Sequence, residues 1–147
     1  MTRSRYAEGV DPLLADRIAV VVATFAEVSA TWVFGSVARG EERPDSDIDV
    51  AVLPSGAGMT FDRQLTLAAR LEAVTGRRVD LVVLGLRELV LCHEVLTLGC
   101  LVHEADRERR IDFVSDALVR ASDFMPTWRL AHEGWMDGWR RSIQGLR

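Results

Sequence analysis

With 147 residues, the chain has enough length for one hydrophobic core and too little for two of ordinary size, so residues 1–147 are read as a single domain. Hydrophobic residues make up 48% and charged ones 27%, the balance of a folded globular protein rather than a disordered one. The net charge of −4 lacks the basic footprint of a general nucleic-acid binder, so no direct nucleic-acid binding is expected.

In chain order, MTRSRYAEGV opens the sequence without the apolar stretch of a signal peptide. Asp11-Pro12 then makes a helix start, with Asp11 as N-cap and Pro12 in the first turn. Leu14, Ile18, Val21, Val22 and Phe25 follow at helical spacing, which predicts a helix from about Pro12 to Val28. Thr31 to Phe34 reads as a strand, broken by Gly35-Ser36. Ser46 to Leu53 reads as a second strand, with Ile48, Val50 and Val52 on one face and Asp47, Asp49, Ala51 and Leu53 on the other. Thr60 caps a helix bearing Leu67, Leu71 and Val74, and Gly76 stops it. Arg78 to Leu84 is a third strand, Arg87 to Leu98 a helix ended by Gly99, and Cys100 to His103 a short strand. Two further helices are expected, at about 107–121 and 126–143. This order predicts an α/β (α+β) fold: a mixed β-sheet with packed helices and a helical C-terminal region from about residue 106. No apolar run approaches the roughly 20 residues of a membrane helix. A cytoplasmic location, with no membrane contact, is expected.

The chemistry concentrates between Gly35 and Asp49. Residues two apart on a strand share a face, so Asp47 and Asp49 aim their carboxylates at one spot. Two like charges there repel unless a cation neutralises them. Hard oxygen ligands with open positions suit Mg²⁺ completed by substrate phosphates. Standing alone, such a pair reads more readily as a solvated strand face. It is preceded, however, by Gly35-Ser36 directly after a strand, where a glycine lets backbone approach a phosphate and the Ser36 hydroxyl adds a donor. Arg39 can reach a phosphate oxygen or form an ordinary surface salt bridge. Asp80 supplies a third carboxylate at a strand start, and sequence spacing alone does not bring it to the other two.

Gly-Ser, ten intervening residues and Asp-x-Asp together resemble the signature of the DNA-polymerase-β-like nucleotidyltransferases. The fuller run GSVARGEERPDSDIDVAVL, followed after one helix by RVDLVVL, is similar to the smallest members, the minimal nucleotidyltransferases. Together with EVLTLGCLVHEADRERRIDF it most resembles the MntA-type antitoxins that pair with HEPN-domain ribonuclease toxins. The resemblance implies a nucleotidyltransferase fold in which Gly35 and Ser36 bind triphosphate, with Arg39, from its place in the run, a candidate nucleotide contact beside them. It also implies that Asp47, Asp49 and Asp80 hold Mg²⁺ and carry catalysis, with Asp80 helping to activate the acceptor hydroxyl. The substrate it implies is ATP, the activity type VII antitoxin action, and the acceptor a tyrosine hydroxyl on the HEPN toxin. Two other activities compete: modification of a small molecule such as an aminoglycoside, whose enzymes usually carry a larger accessory region, and neutralisation of a toxin by contact alone.

In-line displacement at phosphorus needs no covalent enzyme intermediate, so no nucleophilic Ser or Cys is required. Cys92 and Cys100 lack companion zinc ligands and read as small core residues. His93, His103 and His132 show no metal spacing, and nothing marks Tyr6 as functional. Trp128, Trp135, Trp139 and Ile143 fall on one helical face with His132 between them. Such a stripe is expected to pack onto the sheet, with a partner interface as the sharper alternative.

Overall fold

The computed structural model describes residues 9–41, 43 and 45–144; Tyr6, most of the opening segment and the side chain of Ile143 lie outside them. Helix α1 (Pro12–Val22) begins as expected, with the Asp11 carboxylate accepting from the Leu13 N–H at 3.4 Å. It ends six residues before the predicted Val28. The Thr24 hydroxyl donates to the Val21 carbonyl at 2.7 Å, and the chain turns into strand β1 (Val28–Phe34). Phe25 is nonetheless buried, capped by the Arg63 guanidinium 4.3 Å from its ring centre. A helical pattern thus continued in the sequence because turn and strand residues fill the same core as the helix.

A four-residue helix, α2 (Gly35–Ala38), follows β1, and strand β2 (Ile48–Pro54) runs back antiparallel to it. Helix α3 (Phe61–Thr75) carries the chain across to strand β3 (Val79–Val83), which lies parallel to β2 as only such a crossover permits. Thr60 caps α3 through the Arg63 N–H at 3.3 Å, and Gly76 ends it at φ +68°. Helix α4 (Leu89–Leu98) leads to strand β4 (Cys100–Glu104) on the other side of β1. The sheet order is β3-β2-β1-β4, with one parallel and two antiparallel pairings, the mixed sheet the sequence predicts.

Period-two alternation divides the core between the two faces of this sheet. Ile48, Val50 and Val52 pack with Ile18, Val22, Leu67 and Leu71 beneath α1 and α3. Ala51 and Leu53 face the other way, with Trp32, Phe34, Cys92 and Val95. Both cysteines are buried.

The last element corrects the sequence reading. Residues 107 to 144 form one continuous helix, α5 (Arg107–Gln144), with Pro126 inside it rather than between two helices. An internal proline removes a hydrogen bond and costs about 3 kcal/mol. Ala117, Ala121 and Met125 are all buried at i,i+4 spacing, so the packing face runs straight to the proline and holds the helix through it. At 1.5 Å per residue α5 is roughly 57 Å long, more than twice the length of the sheet's strands. Its distal half therefore has no sheet to lie on. Leu130, Trp135 and Trp139 are 73%, 64% and 53% exposed, so the aromatic stripe is not core. Trp128 is half-buried and stacks on His132 at a centroid distance of 4.9 Å. Among the described residues, no helix is long and apolar enough to cross a membrane.

Thr31, at the centre of β1, is fully buried, and its hydroxyl is without a hydrogen-bond partner among the described residues. An unpaired buried hydroxyl costs about 1–3 kcal/mol, and valine has the same shape without it. Thr31→Val is expected to raise the unfolding free energy by about 1 kcal/mol in a urea titration. A loss of stability would mean that the hydroxyl is satisfied.

Candidate active site

The sheet's register assembles the carboxylates. In the parallel pairing of β2 with β3, Asp49 stands opposite Asp80, between the pairs Ile48–Val79 and Val50–Leu81. Neighbouring strands lie about 4.8 Å apart, and in-register residues point to the same side of the sheet. Asp49 and Asp80 therefore share one face near the start of both strands. Asp47 precedes β2 by one residue and stays exposed, as does Asp80, while Asp49 is half-buried.

Two contacts hold the segment before Asp47. The Arg77 guanidinium donates to the Ser46 carbonyl from Nε at 3.1 Å and from Nη2 at 2.7 Å. The Ser46 hydroxyl accepts from the Arg43 N–H at 2.9 Å. Arg77 thus ties the approach to Asp47 to the approach to β3. The sequence reading had no signal for this, because the acceptor is a backbone carbonyl 31 positions away.

The turn carrying Gly35 and Ser36 meets these carboxylates. Phe34 pairs with Asp49 across β1 and β2, so the residue after Phe34 emerges beside the Asp49 side chain. Gly35 has φ +71°, and a Cβ built there would collide with Asp49 Oδ2 and stand 3.1 Å from its Cγ. Only glycine fits: the conformation is left-handed and the carboxylate occupies the side-chain space. The turn closes with the Arg39 N–H donating to the Gly35 carbonyl at 3.2 Å and the Glu41 N–H to the Ser36 carbonyl at 3.0 Å. Arg39 is exposed, and its Nε pairs with Glu41 at 3.1 Å, the surface salt bridge weighed above.

Burial pushes the Asp49 carboxyl above its usual range, and the carboxylates of Asp80, Asp47 and Glu94 push it the same way; Arg39 offsets part of this. Glu94, on α4, is an acidic neighbour that sequence reasoning missed. Nothing in its local sequence marks it, since α4 reaches the site through packing of α2 against α4. Among the described residues, no three acidic, histidine or cysteine side chains are arranged to enclose a metal ion by themselves. The donor set still fits a divalent cation. Three aspartates, two of them solvent-facing, leave open positions for phosphate oxygens, and their mutual repulsion is the free energy a cation would relieve. A cavity of about 920 Å³ lies at the far end of β2 around Leu53, Leu84 and Phe113, away from this chemistry.

The raised Asp49 gives a signed test. Between the ordinary carboxylate range and its raised folded value, the folded protein binds the extra proton, so stability falls as pH rises through that window. Asp49→Asn removes the charge, and in chelator at pH 7 the variant is expected to be more stable than wild type. The difference should shrink as pH falls through the Asp49 titration. A wild type that is the more stable at neutral pH would contradict the repulsion.

The family model for polymerase beta, nucleotidyltransferase, matches residues 16–108. The protein adenylyltransferase MntA of Shewanella oneidensis is 40% identical over 70 residues, which are 46% of this chain and 48% of that protein; the chain thus spans about half the length of the curated relative it matches. A toxin–antitoxin crystal structure with AMP-PNP superposes at a TM-score of 0.69 and 23% identity, covering 83% of this chain and 98% of that one. An MNT antitoxin in complex with the tri-AMPylated HEPN toxin of Shewanella oneidensis gives 0.64 and 22%, over 84% and 97% of the two chains. At these identities the structures show a common fold. The segment matched by the family model holds Gly35, Ser36, Asp47, Asp49 and Asp80, and the chain belongs to the polymerase-β nucleotidyltransferase family.

Proposed function

We propose that this protein is a cytoplasmic, Mg²⁺-dependent protein adenylyltransferase that moves AMP from ATP to a tyrosine hydroxyl on a HEPN ribonuclease toxin, and so acts as its antitoxin. The observation that carries this reading is the register of Asp49 with Asp80 beside the Gly35-Ser36 turn, which brings the carboxylates against a closely approaching glycine backbone. The similarity to MntA, a protein adenylyltransferase, and to an antitoxin complexed with an AMPylated HEPN toxin supports the acceptor class.

Asp47, Asp49 and Asp80 would hold the metal, which when bound supplies charge neutralisation for the triphosphate and a more acidic acceptor hydroxyl. The Gly35 backbone and the Ser36 hydroxyl bind and orient the phosphates. Arg39 leaves Glu41 to meet a phosphate oxygen, an exchange that costs little because exposed pairs contribute at most about 1 kcal/mol. The acceptor oxygen bonds to the α-phosphorus as the bond to the α,β-bridging oxygen breaks. Pyrophosphate leaves with the electron pair, and the hydroxyl proton passes to the Asp80 carboxylate. Positioning and charge stabilisation account for the acceleration, with no enzyme-bound intermediate. An adenylyl group beside a ribonuclease site adds bulk and negative charge that obstruct RNA, as phosphorylation would.

The direct test is intact-mass analysis of the toxin after co-expression. One or more adenylyl increments are expected with wild type and none with a folded Asp47→Ala or Asp49→Ala protein. Full neutralisation of a toxin whose mass is unchanged would instead indicate inhibition by contact. Kinetics separate the remaining roles. Asp80→Asn is expected to slow turnover at least tenfold with triphosphate affinity nearly intact, whereas Ser36→Ala should weaken AMP-PNP binding severalfold. The reverse pattern would exchange the two assignments.

A further inference from the structure

A groove of about 500 Å³ runs between α4 and α5, lined among others by Glu88, Leu91, Glu94, Phe124 and Trp128. Glu94 lines this groove, and its helix α4 packs both on the sheet face that carries Asp49 and against the turn of Gly35 and Ser36, so the groove lies on the same side of the sheet as the aspartates. We infer that this groove is the acceptor subsite: Leu91, Phe124 and Trp128 hold the ring of the tyrosine that receives AMP, and Glu94 marks the end at which its hydroxyl meets the aspartates. The inference rests on the adenylyltransferase reading and names the surface on which that reading's acceptor docks.

Three observations select a tyrosyl occupant. The lining combines apolar and aromatic side chains with the carboxylates of Glu88 and Glu94, which matches a side chain with an apolar body and a polar tip. Glu88 and Glu94 outnumber Arg87, so the groove repels a triphosphate and favours a protein segment with basic residues beside its tyrosine. A ribonuclease site that grips RNA phosphates is basic for the same electrostatic reason. Finally, Phe124 is 41% exposed, and Trp128, which stacks on His132 with one face, is only half-buried, so part of each aromatic surface is available to a partner. Exposed aromatics of this kind anchor protein interfaces. The competing occupant is the adenine of ATP, stacked on Trp128.

The experiment measures AMP transfer to the purified cognate HEPN toxin at saturating ATP and Mg²⁺, and AMP-PNP affinity by calorimetry. Phe124→Ala and Trp128→Ala are compared with wild type and with the conservative Trp128→Phe. Both residues are at least partly exposed, so truncation leaves the core intact, and circular dichroism checks this. The expected result is a KM for toxin raised tenfold or more in each alanine variant, recovery to within threefold in Trp128→Phe, and AMP-PNP affinity within twofold throughout. Weakened AMP-PNP binding with an unchanged toxin KM would assign the groove to adenine and overturn the inference. A KM for toxin within twofold of wild type in both alanine variants would overturn it as well. Both of those outcomes leave the adenylyltransferase reading standing, because wild type still transfers AMP. No transfer by wild type would overturn that reading and this inference together.

Discussion

Everything at the site depends on the in-register parallel pairing of β2 with β3. It sets Asp49 opposite Asp80 at the end of the sheet where both strands begin. A slip of one residue would turn Asp80 to the opposite face, under α3, and bring Leu81 to the carboxylates. The register is held by Val79, Leu81 and Val83 packing toward the same core as Ile48, Val50 and Val52. The Ile48 N–H donating to the Arg78 carbonyl at 2.9 Å continues the ladder back to the approach of β3. The hydrophobic face beneath the sheet thus fixes the spacing of charges on its other face.

The same alternation explains why the acidic cluster can exist in a folded protein. Asp49 sits on the face that also carries Ala51, Leu53 and Trp32, with burial and three carboxylates against it. The surrounding elements tolerate this strain because Asp47 and Asp80 remain in contact with water. Gly35 approaches so closely that no side chain can separate the turn from Asp49. The cluster is therefore kept at some cost in stability, a common balance at positions tuned for chemistry.

Helix α5 does two different jobs along its length. Its first half, through Ala117, Ala121 and Met125, closes the core over β1 and α4. Its second half carries Leu130, Trp135 and Trp139 into solvent. The change happens near Phe124 and Trp128, where the helix borders α4 across the groove. An element that begins as structure thus ends as accessible surface.

Much of this was legible in the sequence because local physics specified it. The Asp11 and Thr60 caps, the left-handed stop at Gly76, the glycine turn after β1 and the period-two split of Ile48–Leu53 each depend on residues within a few positions of one another. The Gly35-Ser36 and Asp47-Asp49 spacing was readable for the same reason. Only the tertiary structure decided the rest. Whether Asp80 joins Asp49 is a matter of strand register, which no local pattern states. Glu94 and Arg77 act on residues about 30 positions or more away, through helix packing and a backbone carbonyl. The sequence also misplaced the end of α1 and the course of α5. Phe25 keeps helical spacing while sitting in a turn, and Pro126 reads as a break although continuous packing at Ala117, Ala121 and Met125 carries the helix through it. An apolar stripe on a helix says that a face can be buried; whether a sheet extends far enough to bury it is set by the lengths of the other elements.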